Sequence, residues 1–260
     1  MNPALWVAKT GLDAQQKRLN VVSNNLANVG TNGFKRDRAV FEDLLYQNLR
    51  QPGSQSSQDT ILPSGLLLGT GVRTVATQKI HTQGAPVPTG NNLDMMIEGR
   101  GFFQVLMPSG DMGYTRDGAF QVNAQGQLVT SNGYLVQPGI TIPEDAISVD
   151  IGTDGTITST APGGGTTQLG VMQLADFVNP AGLQSVGQNL YIETVASGAP
   201  AQGNPGLEGL GQMQSGSLEG SNVNAVEELV NMIETQRAYE MNSKAISTAD
   251  QMLAYVSQNL

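Results

Sequence analysis

The sequence predicts an α+β protein in which N- and C-terminal helices form a coiled-coil-like pair and carry an inserted, antiparallel all-β middle domain. Two observations favour this arrangement. Apolar residues near both ends of the chain recur at alternating intervals of three and four, the spacing of a helix with one apolar stripe. Between the ends, short β-branched and aromatic runs alternate with turn dipeptides, which is typical of antiparallel strands.

The N-terminal helix is predicted from an apolar stripe that should serve as an assembly surface. Its main members are Leu5, Leu12, Leu19, Val22 and Leu26. Pro3 suits a first helical turn. Gly30, which is followed by Thr-Asn-Gly, should end the helix in a left-handed cap and turn.

The C-terminal helix is predicted to start near Asn222 or Asn224, because either can cap it, and to continue to residue 260, because no Gly or Pro follows. Its assembly stripe consists of Val230, Ile233, Tyr239, Ile246, Leu253 and Val256. A single apolar stripe has to be buried against another element, so the two terminal helices should pair. The C-terminal helix carries more apolar surface than one partner would cover, which indicates self-association.

The composition divides the chain further. We assign residues 1–34 and 222–260 to a helical assembly core, 35–75 and 196–221 to connecting segments, and 76–195 to an all-β outer domain. The segment near residues 51–71 is rich in Gln, Ser, Gly and Pro, yet it carries the apolar residues Ile61, Leu62, Leu66, Leu67 and Leu68. A free linker would leave these side chains exposed and adhesive. We therefore expect a bracing loop that docks on neighbouring subunits.

The composition disfavours several classes of function. The chain has 13 basic and 22 acidic residues, a formal net charge of −9, which is unsuited to phosphate-dominated nucleic-acid binding. It has no cysteine and one histidine, His81, so no Cys-ligated or multi-His metal site can form. We find no nucleophile elbow, P-loop or dinucleotide loop. We predict no catalytic, metal or cofactor-binding residues and no cofactor, and no insertion into a membrane.

The most basic run, residues 35–38, leaves two interpretations open. It is either a solvated or ion-paired surface, or a contact to an acidic neighbouring subunit. The residue types alone do not decide between these readings.

Three groups of residues resemble a known family. The N-terminal motif contains Asn24, Asn25, Leu26, Asn28, Gly33 and Phe34, and a second motif spans residues 227–240. Residues 101–103 and 114–118 resemble the β-domain motif of the same proteins, the bacterial flagellar basal-body rod and hook family. Residues 41–73 are most similar to its distal rod branch.

The resemblance implies a helical homopolymer, a rigid tube that crosses the periplasm and transmits motor torque to the hook. The terminal helices would line the tube and the β domain would face outward. Its partners would be further copies, proximal rod proteins, the hook protein and surrounding ring proteins. The resemblance also implies export by the flagellar type III route, and residues 1–9, which do not read as a Sec signal, agree with this expectation.

Two alternatives remain at this point. One is a hook or proximal rod subunit of the same family. Residues 46–73 should distinguish these subunits from a distal rod protein, because only the distal rod type is expected to carry that segment. The other belongs to a different class: a secreted β-domain carbohydrate binder or enzyme that oligomerises through its terminal helices. A closed oligomer would favour that class, and a polymer would favour the rod.

Overall fold

The computed structural model describes residues 3–53, 55–57, 60–61 and 63–258, and the chain divides into two compact units. Unit 1 comprises Met1–Ala27, Asp37–Gln78 and Asn224–Leu260. Unit 2 comprises Asn28–Arg36 and Lys79–Val223. Both units are therefore discontinuous in sequence, because a short piece of the N-terminal region belongs to unit 2.

Unit 1 contains both terminal helices, α1 (Pro3–Ala27) and α2 (Ala225–Gln258). Asn224 caps α2, since its Oδ1 accepts hydrogen bonds from the backbone N–H groups of Val226 at 3.1 Å and Glu227 at 3.4 Å. Glu227 and Glu228 lie in the first turn, where their negative charge interacts favourably with the positive end of the helix dipole. No helix in the described part of the chain is both long and apolar enough to cross a membrane.

The two helices contact each other and run antiparallel. Asn25, near the end of α1, donates to Glu228 at the start of α2 at 3.4 Å. Gly11, fourteen residues earlier, lies against Asn242, fourteen residues later. This register places Pro3 opposite the region of Asp250, so the last turns of α2 extend past the described start of α1.

The strands of unit 1 form a long, interrupted hairpin. They are β1 (Asp37–Asp43), β2 (Gln47–Arg50), β3 (Gln55–Ser57), β4 (Thr60–Ile61), β5 (Leu66–Leu68) and β6 (Val72–Lys79). They pair in nested order, β1 with β6, β2 with β5 and β3 with β4. The segment that the sequence predicted as a bracing loop therefore has strand structure of its own.

Unit 2 is built from sixteen described strands and one short 3₁₀ helix, Pro180–Gly182. The strands are β7 (Pro86–Pro88), β8 (Met95–Glu98), β9 (Phe102–Leu106), β10 (Met112–Thr115), β11 (Phe120–Val122), β12 (Leu128–Thr130), β13 (Leu135–Gln137), β14 (Ser148–Ile151), β15 (Thr156–Thr160), β16 (Thr166–Val171), β17 (Leu174–Asp176), β18 (Gln184–Gly187), β19 (Leu190–Ile192), β20 (Ala201–Gly203), β21 (Gln212–Ser215) and β22 (Ser217–Glu219).

The main sheet of unit 2 has the order β11-β12-β13-β9-β10-β19-β18, with β17 pairing both β9 and β20. A three-stranded sheet, β14-β15-β16, and the pairs β8–β21 and β7–β22 complete the unit. The described registers within unit 2 are antiparallel, for example Tyr114 opposite Gln104 and Val136 opposite Val105. The β-rich middle of the chain is thus as the sequence predicted.

The core of unit 2 forms two apolar clusters. The larger one includes Met95, Phe103, Phe120 and Leu174, and the smaller one is aromatic and centres on Phe102. Within both, aromatic rings meet edge to face, as Phe103 and Phe120 do at 5.1 Å between centroids.

Two secondary-structure predictions were wrong. Gly30 was predicted to end α1 in a left-handed cap, but α1 ends at Ala27, and the left-handed glycine that follows it is Gly33, with a φ of +66°. Within the connecting segment 196–221, residues 196–216 are rich in Gly, Pro, Ala and Gln and were therefore predicted to be a linker. Instead β20 and β21 lie within that stretch, β22 follows it, and each pairs with an earlier strand, β17, β8 and β7 respectively. These strands are short, and their hydrogen-bonding partners are distant in sequence, so local composition gives little sign of them.

Candidate assembly interface

Few side chains of the two helices are fully buried in unit 1, and most of these are small or polar. The fully buried residues are Ala14, Val22 and Asn25 on α1 and Glu228, Thr235 and Ala249 on α2. The row of Leu5, Leu12, Leu19 and Leu26 is only half-buried. The apolar heptad of α1 therefore lies beside the most buried face, and Val22 alone among its predicted members is fully buried.

The large apolar side chains at the start of α2 point away from α1. Val226, Leu229, Val230 and Ile233, which we call the outer stripe, are between 47 and 70% exposed. Val226 and the buried Thr235 are nine residues apart, which at about 100° per residue places them on opposite sides of the helix. The spacing i, i+3, i+4, i+7 makes the four residues one continuous surface.

The predicted assembly residues of α2 are mostly exposed within one copy. The exposed fractions of Val230, Ile233, Tyr239 and Leu253 are 45 to 51%, whereas Ile246 is less exposed. Leu253 is exposed because it lies on the turns that extend past the start of α1. The side chain of Val256 lies outside the described residues. The assignment of these residues to an intermolecular contact stays a prediction.

The hairpin of unit 1 also presents apolar side chains. Leu66, Leu67 and Leu68 on β5 are 39 to 52% exposed, and Leu49 on β2 is exposed too. The side chain of Ile61 and the whole of Leu62 lie outside the described residues. The bracing role that we predicted for this segment is likewise untested by the fold of a single copy.

An open cavity of about 570 Å³, which we call the α1 groove, lies between α1 and the hairpin. Its lining is mainly apolar and includes Ala4, Val7, Ala8 and Gly11 of α1 together with Leu68 and Val72. The hairpin approaches α1 closely at Gly71, whose φ is +116° and where a Cβ atom would overlap the Thr10 hydroxyl. Thr10 Oγ1 also accepts a hydrogen bond from the Val72 N–H at 3.3 Å.

The family-motif residue Asn25 fixes the chain after α1 within unit 1. Its Nδ2 donates to the Asp37 carbonyl and its Oδ1 accepts from the Asp37 N–H, both at 2.9 Å. Asn25 is fully buried. The two-way pairing reproduces a backbone ladder contact with a side chain, so an amide at this position satisfies a donor and an acceptor together.

Lys35 and Arg116, from two separate motifs, converge on the Glu219 carboxylate in unit 2. Lys35 Nζ donates to Glu219 Oε1 at 2.6 Å, and both side chains are completely buried. Arg116 Nη1 lies 3.4 Å from Glu219 Oε2. Burial lowers the pKa of Lys35, and the charge and hydrogen bond of Glu219 act in the opposite direction.

The rest of the cluster is held by backbone groups. Lys35 Nζ also donates to the Thr82 carbonyl at 2.7 Å, and Arg116 Nη2 donates to the Gly99 carbonyl at 2.6 Å. The Gly84 N–H donates to Glu219 Oε1 at 2.9 Å. Of the two interpretations of residues 35–38, an ion pair is correct for Lys35, but the pair is internal rather than on a surface.

Gly33 and Phe34 of the motif position Lys35. The Gly33 N–H donates to the Glu219 carbonyl at 2.7 Å. Gly33 has a φ of +66°, and a Cβ atom would lie 2.7 Å from the Arg116 backbone. Phe34 lies under the Lys79 ammonium at 5.1 Å. Asn28 Oδ1 accepts from the Thr31 hydroxyl at 3.1 Å, which closes the turn that precedes this segment.

His81 lies beside this cluster and packs edge-on against Phe102 and Tyr191. Neither of its buried ring nitrogens makes a hydrogen bond to a described residue. Burial, the largest cause, and the nearby charges of Lys35, Arg116 and Lys79 together lower the pKa of His81 to about 4, while the Pro180 backbone acts in the opposite direction. His81 is therefore neutral at neutral pH. Among the described residues, no group of three or more His, Asp or Glu could hold a metal ion.

Comparison with protein families gives three matches that span both ends and the middle. Residues 5–35 match the flagella basal body rod protein family, residues 96–159 the D1 domain of the flagellar hook proteins FlgE/F/G, and residues 214–259 the C-terminal region of the basal body rod proteins FlgEFG. The three matched regions contain Lys35, Arg116 and Glu219, respectively. Each charged group of the buried Glu219 cluster therefore lies in a region that matches the family.

The chain belongs to the flagellar basal-body rod and hook protein family, as the resemblance of its motifs predicted. Relatives named flagellar basal-body rod protein FlgG match along almost their whole length. The protein from Buchnera aphidicola (strain Sg) is 58% identical over 99% of this chain and all of that one. The proteins from Caulobacter vibrioides and Bacillus subtilis are 49% and 37% identical, over 98% and 96% of both chains.

A solved structure, the Helicobacter pylori flagellar hook protein FlgE2, aligns with 60% of this chain and 47% of its own at 16% identity. Its TM-score is 0.25, so the alignment supports no argument about the fold.

We expect Glu219→Gln to destabilise unit 2 by about 3–5 kcal/mol, because it leaves two buried cations without a compensating charge. Urea denaturation followed by near-ultraviolet circular dichroism measures this change. Glu144→Gln, at an exposed position, is the matched control and should change stability by less than about 0.5 kcal/mol. An equal, small effect of both substitutions would contradict the role of Glu219.

We expect His81 to make unit 2 acid-sensitive between about pH 6.5 and pH 4. Because its folded pKa is below the unfolded value, the unfolded chain takes up a proton first, and stability present above pH 6.5 is lost as the pH falls to about 4. His81→Phe should remove this part of the pH dependence. The measurement is the denaturation midpoint of both proteins at pH 4 to 8; parallel curves would show that His81 does not contribute.

Proposed function

We propose that this chain is a structural subunit of the flagellar distal rod, which self-assembles into a rigid helical tube and transmits torque across the periplasm to the hook. Full-length similarity to basal-body rod proteins supports the class. The observation that carries self-assembly is the outer stripe, a row of large apolar side chains that the chain itself leaves exposed. A structural rather than an enzymatic role accords with the family.

The energetics favour burial of this surface between copies. Fully burying a Val, Leu or Ile side chain is worth about 1.5–3 kcal/mol, so a stripe of four half-exposed residues offers several kcal/mol to a neighbour. Among the described residues of the two helices, in contrast, Val22 is the one large aliphatic side chain that is fully buried within the single chain. The helical part of the chain therefore gains much of its apolar burial only by assembly.

The partners follow from the proposed place in the rod. Further copies would contact the helices of unit 1, and proximal rod proteins, the hook protein and the surrounding ring proteins would be the heterologous neighbours. Export would use the flagellar type III route without a cleaved Sec signal. The low density of charge, 13% of residues in the whole chain, leaves the protein little means of binding strongly to a ring in which it turns.

The hairpin supplies a candidate for rigidity. Its leucine row on β5 and Leu49 on β2 are exposed on paired strands rather than on a flexible linker. Strand pairing orders these side chains in advance and lowers the entropic cost of docking on a neighbour. We therefore assign bracing of the tube to residues 46–73.

We expect Leu253→Asp to prevent polymer formation while unit 2 stays folded, because a carboxylate in a dry helical core costs several kcal/mol. Electron microscopy and sedimentation of the concentrated protein measure assembly. Gln251→Asp adds the same charge at an exposed polar position of α2 and should still assemble. Normal polymers from Leu253→Asp would show that Leu253 faces water in the assembly.

We expect removal of Gln47–Leu67, which joins β1 to β6 through a short turn and keeps Leu68 and Val72 of the α1 groove, to give polymers that form but curve. The terminal helices remain to drive assembly, whereas the brace is lost. Filament curvature measured by electron microscopy tests this, with Leu66→Ser/Leu67→Ser as a variant that keeps the hairpin but reduces its apolar surface. Straight, stiff polymers from both variants would assign the hairpin to another task.

A further inference from the structure

We propose that the outer stripe of one copy docks into the α1 groove of a second copy, an inference that rests on the self-assembly proposed above. The stripe residues Val226, Leu229, Val230 and Ile233 have the i, i+3, i+4, i+7 spacing by which an amphipathic helix inserts its apolar face into a groove. Both surfaces belong to unit 1, and both are open in the single chain.

The groove has the size and chemistry for this occupant. Its volume of about 570 Å³ is within the range of about 300–1,000 Å³ that holds sizeable apolar ligands. Ala4, Ala8 and Gly11 form the α1 side, so a second helix can approach the backbone closely. Leu68 and Val72 form an apolar opposite side, which suits branched aliphatic side chains.

The stripe cannot reach the groove of its own chain. Glu228 and Thr235 on the other side of α2 are buried where the helices meet, and the stripe lies about half a turn away from them. The groove must therefore receive the stripe of a different copy. Such a contact joins two unlike surfaces, and an unlike pair that does not close into a ring continues as a helical filament.

The charges around the two surfaces are opposite in sign. Residues 3–18 of α1 contain Lys9, Lys17 and Arg18 and a single acidic residue, Asp13. The first twelve residues of α2 contain three glutamates, of which Glu227 and Glu234 are exposed, and no basic residue. Attraction between these segments favours a second copy of this chain, in the proposed orientation, over a neutral apolar partner.

Cysteine cross-linking tests the contact directly, because the chain contains no cysteine. The full-length variant Leu229→Cys is combined with Cys at Ala4 or Ala8, polymerised and oxidised. We expect disulfide-linked ladders on a non-reducing gel. Ser243→Cys, at an exposed position away from the stripe, combined with the same groove cysteines, should give monomers.

The outcomes separate this inference from the proposed function. Wild-type protein that never polymerises would remove the proposed function itself. Polymers from the Leu229 variants without cross-links would overturn the docking mode and leave self-assembly standing. Ladders of equal intensity from the Ser243 control would also overturn it.

A charge exchange decides the matter if the cysteine variants do not assemble. Lys9→Glu and Glu234→Lys should each raise the critical concentration for polymerisation about two- to fivefold, the effect of one exposed ion pair. The double variant should return towards the wild-type value. A double variant that assembles no better than either single variant would overturn the proposal.

Discussion

A single carboxylate, Glu219, compensates two buried cations that come from distant parts of the chain. Lys35 follows the first helix, Arg116 lies in the middle of unit 2, and Glu219 precedes the last helix. Each cation would be costly to bury alone, so the three segments are stable only together. The close fit of Gly33 against the Arg116 backbone depends on the same arrangement. Residues in the regions that match the family therefore hold the three segments of unit 2 together.

This cluster changes how the motifs should be understood. A motif shared by proteins that assemble could be a set of contacts between subunits. Here Asn25, Gly33 and Lys35 are instead fully buried within their own units and bind backbone groups or Glu219. Their residue types are explained by the fold of one copy. The surfaces that remain for contacts between copies are less distinctive in sequence, mainly aliphatic rows on α2 and on the hairpin.

The sequence predicted both helices, a start of α2 at Asn222 or Asn224 and the β-rich middle, because helical spacing and turn dipeptides are local signals. It did not predict which face of α1 is most buried. The leucine row has the stronger apolar period, yet Ala14 and Asn25 are buried because small and amide side chains allow a close approach and internal hydrogen bonds. The buried environments of Lys35 and His81 could not be predicted from the sequence either, because their partners Glu219 and Tyr191 are more than a hundred residues away along the chain.

Charge acts on two length scales in a chain of this kind. The net charge of −9 repels whole copies from one another, but at physiological salt the Debye length is about 8 Å, so this repulsion is weak beyond close approach. Within the proposed contact, the basic start of α1 and the acidic start of α2 would lie near enough for attraction to persist. Salt therefore screens the long-range repulsion between copies, which opposes assembly, more completely than the short-range attraction between α1 and α2, which would orient the copies. In the proposed contact, the apolar stripe would supply most of the free energy, and the charges would decide which surfaces meet.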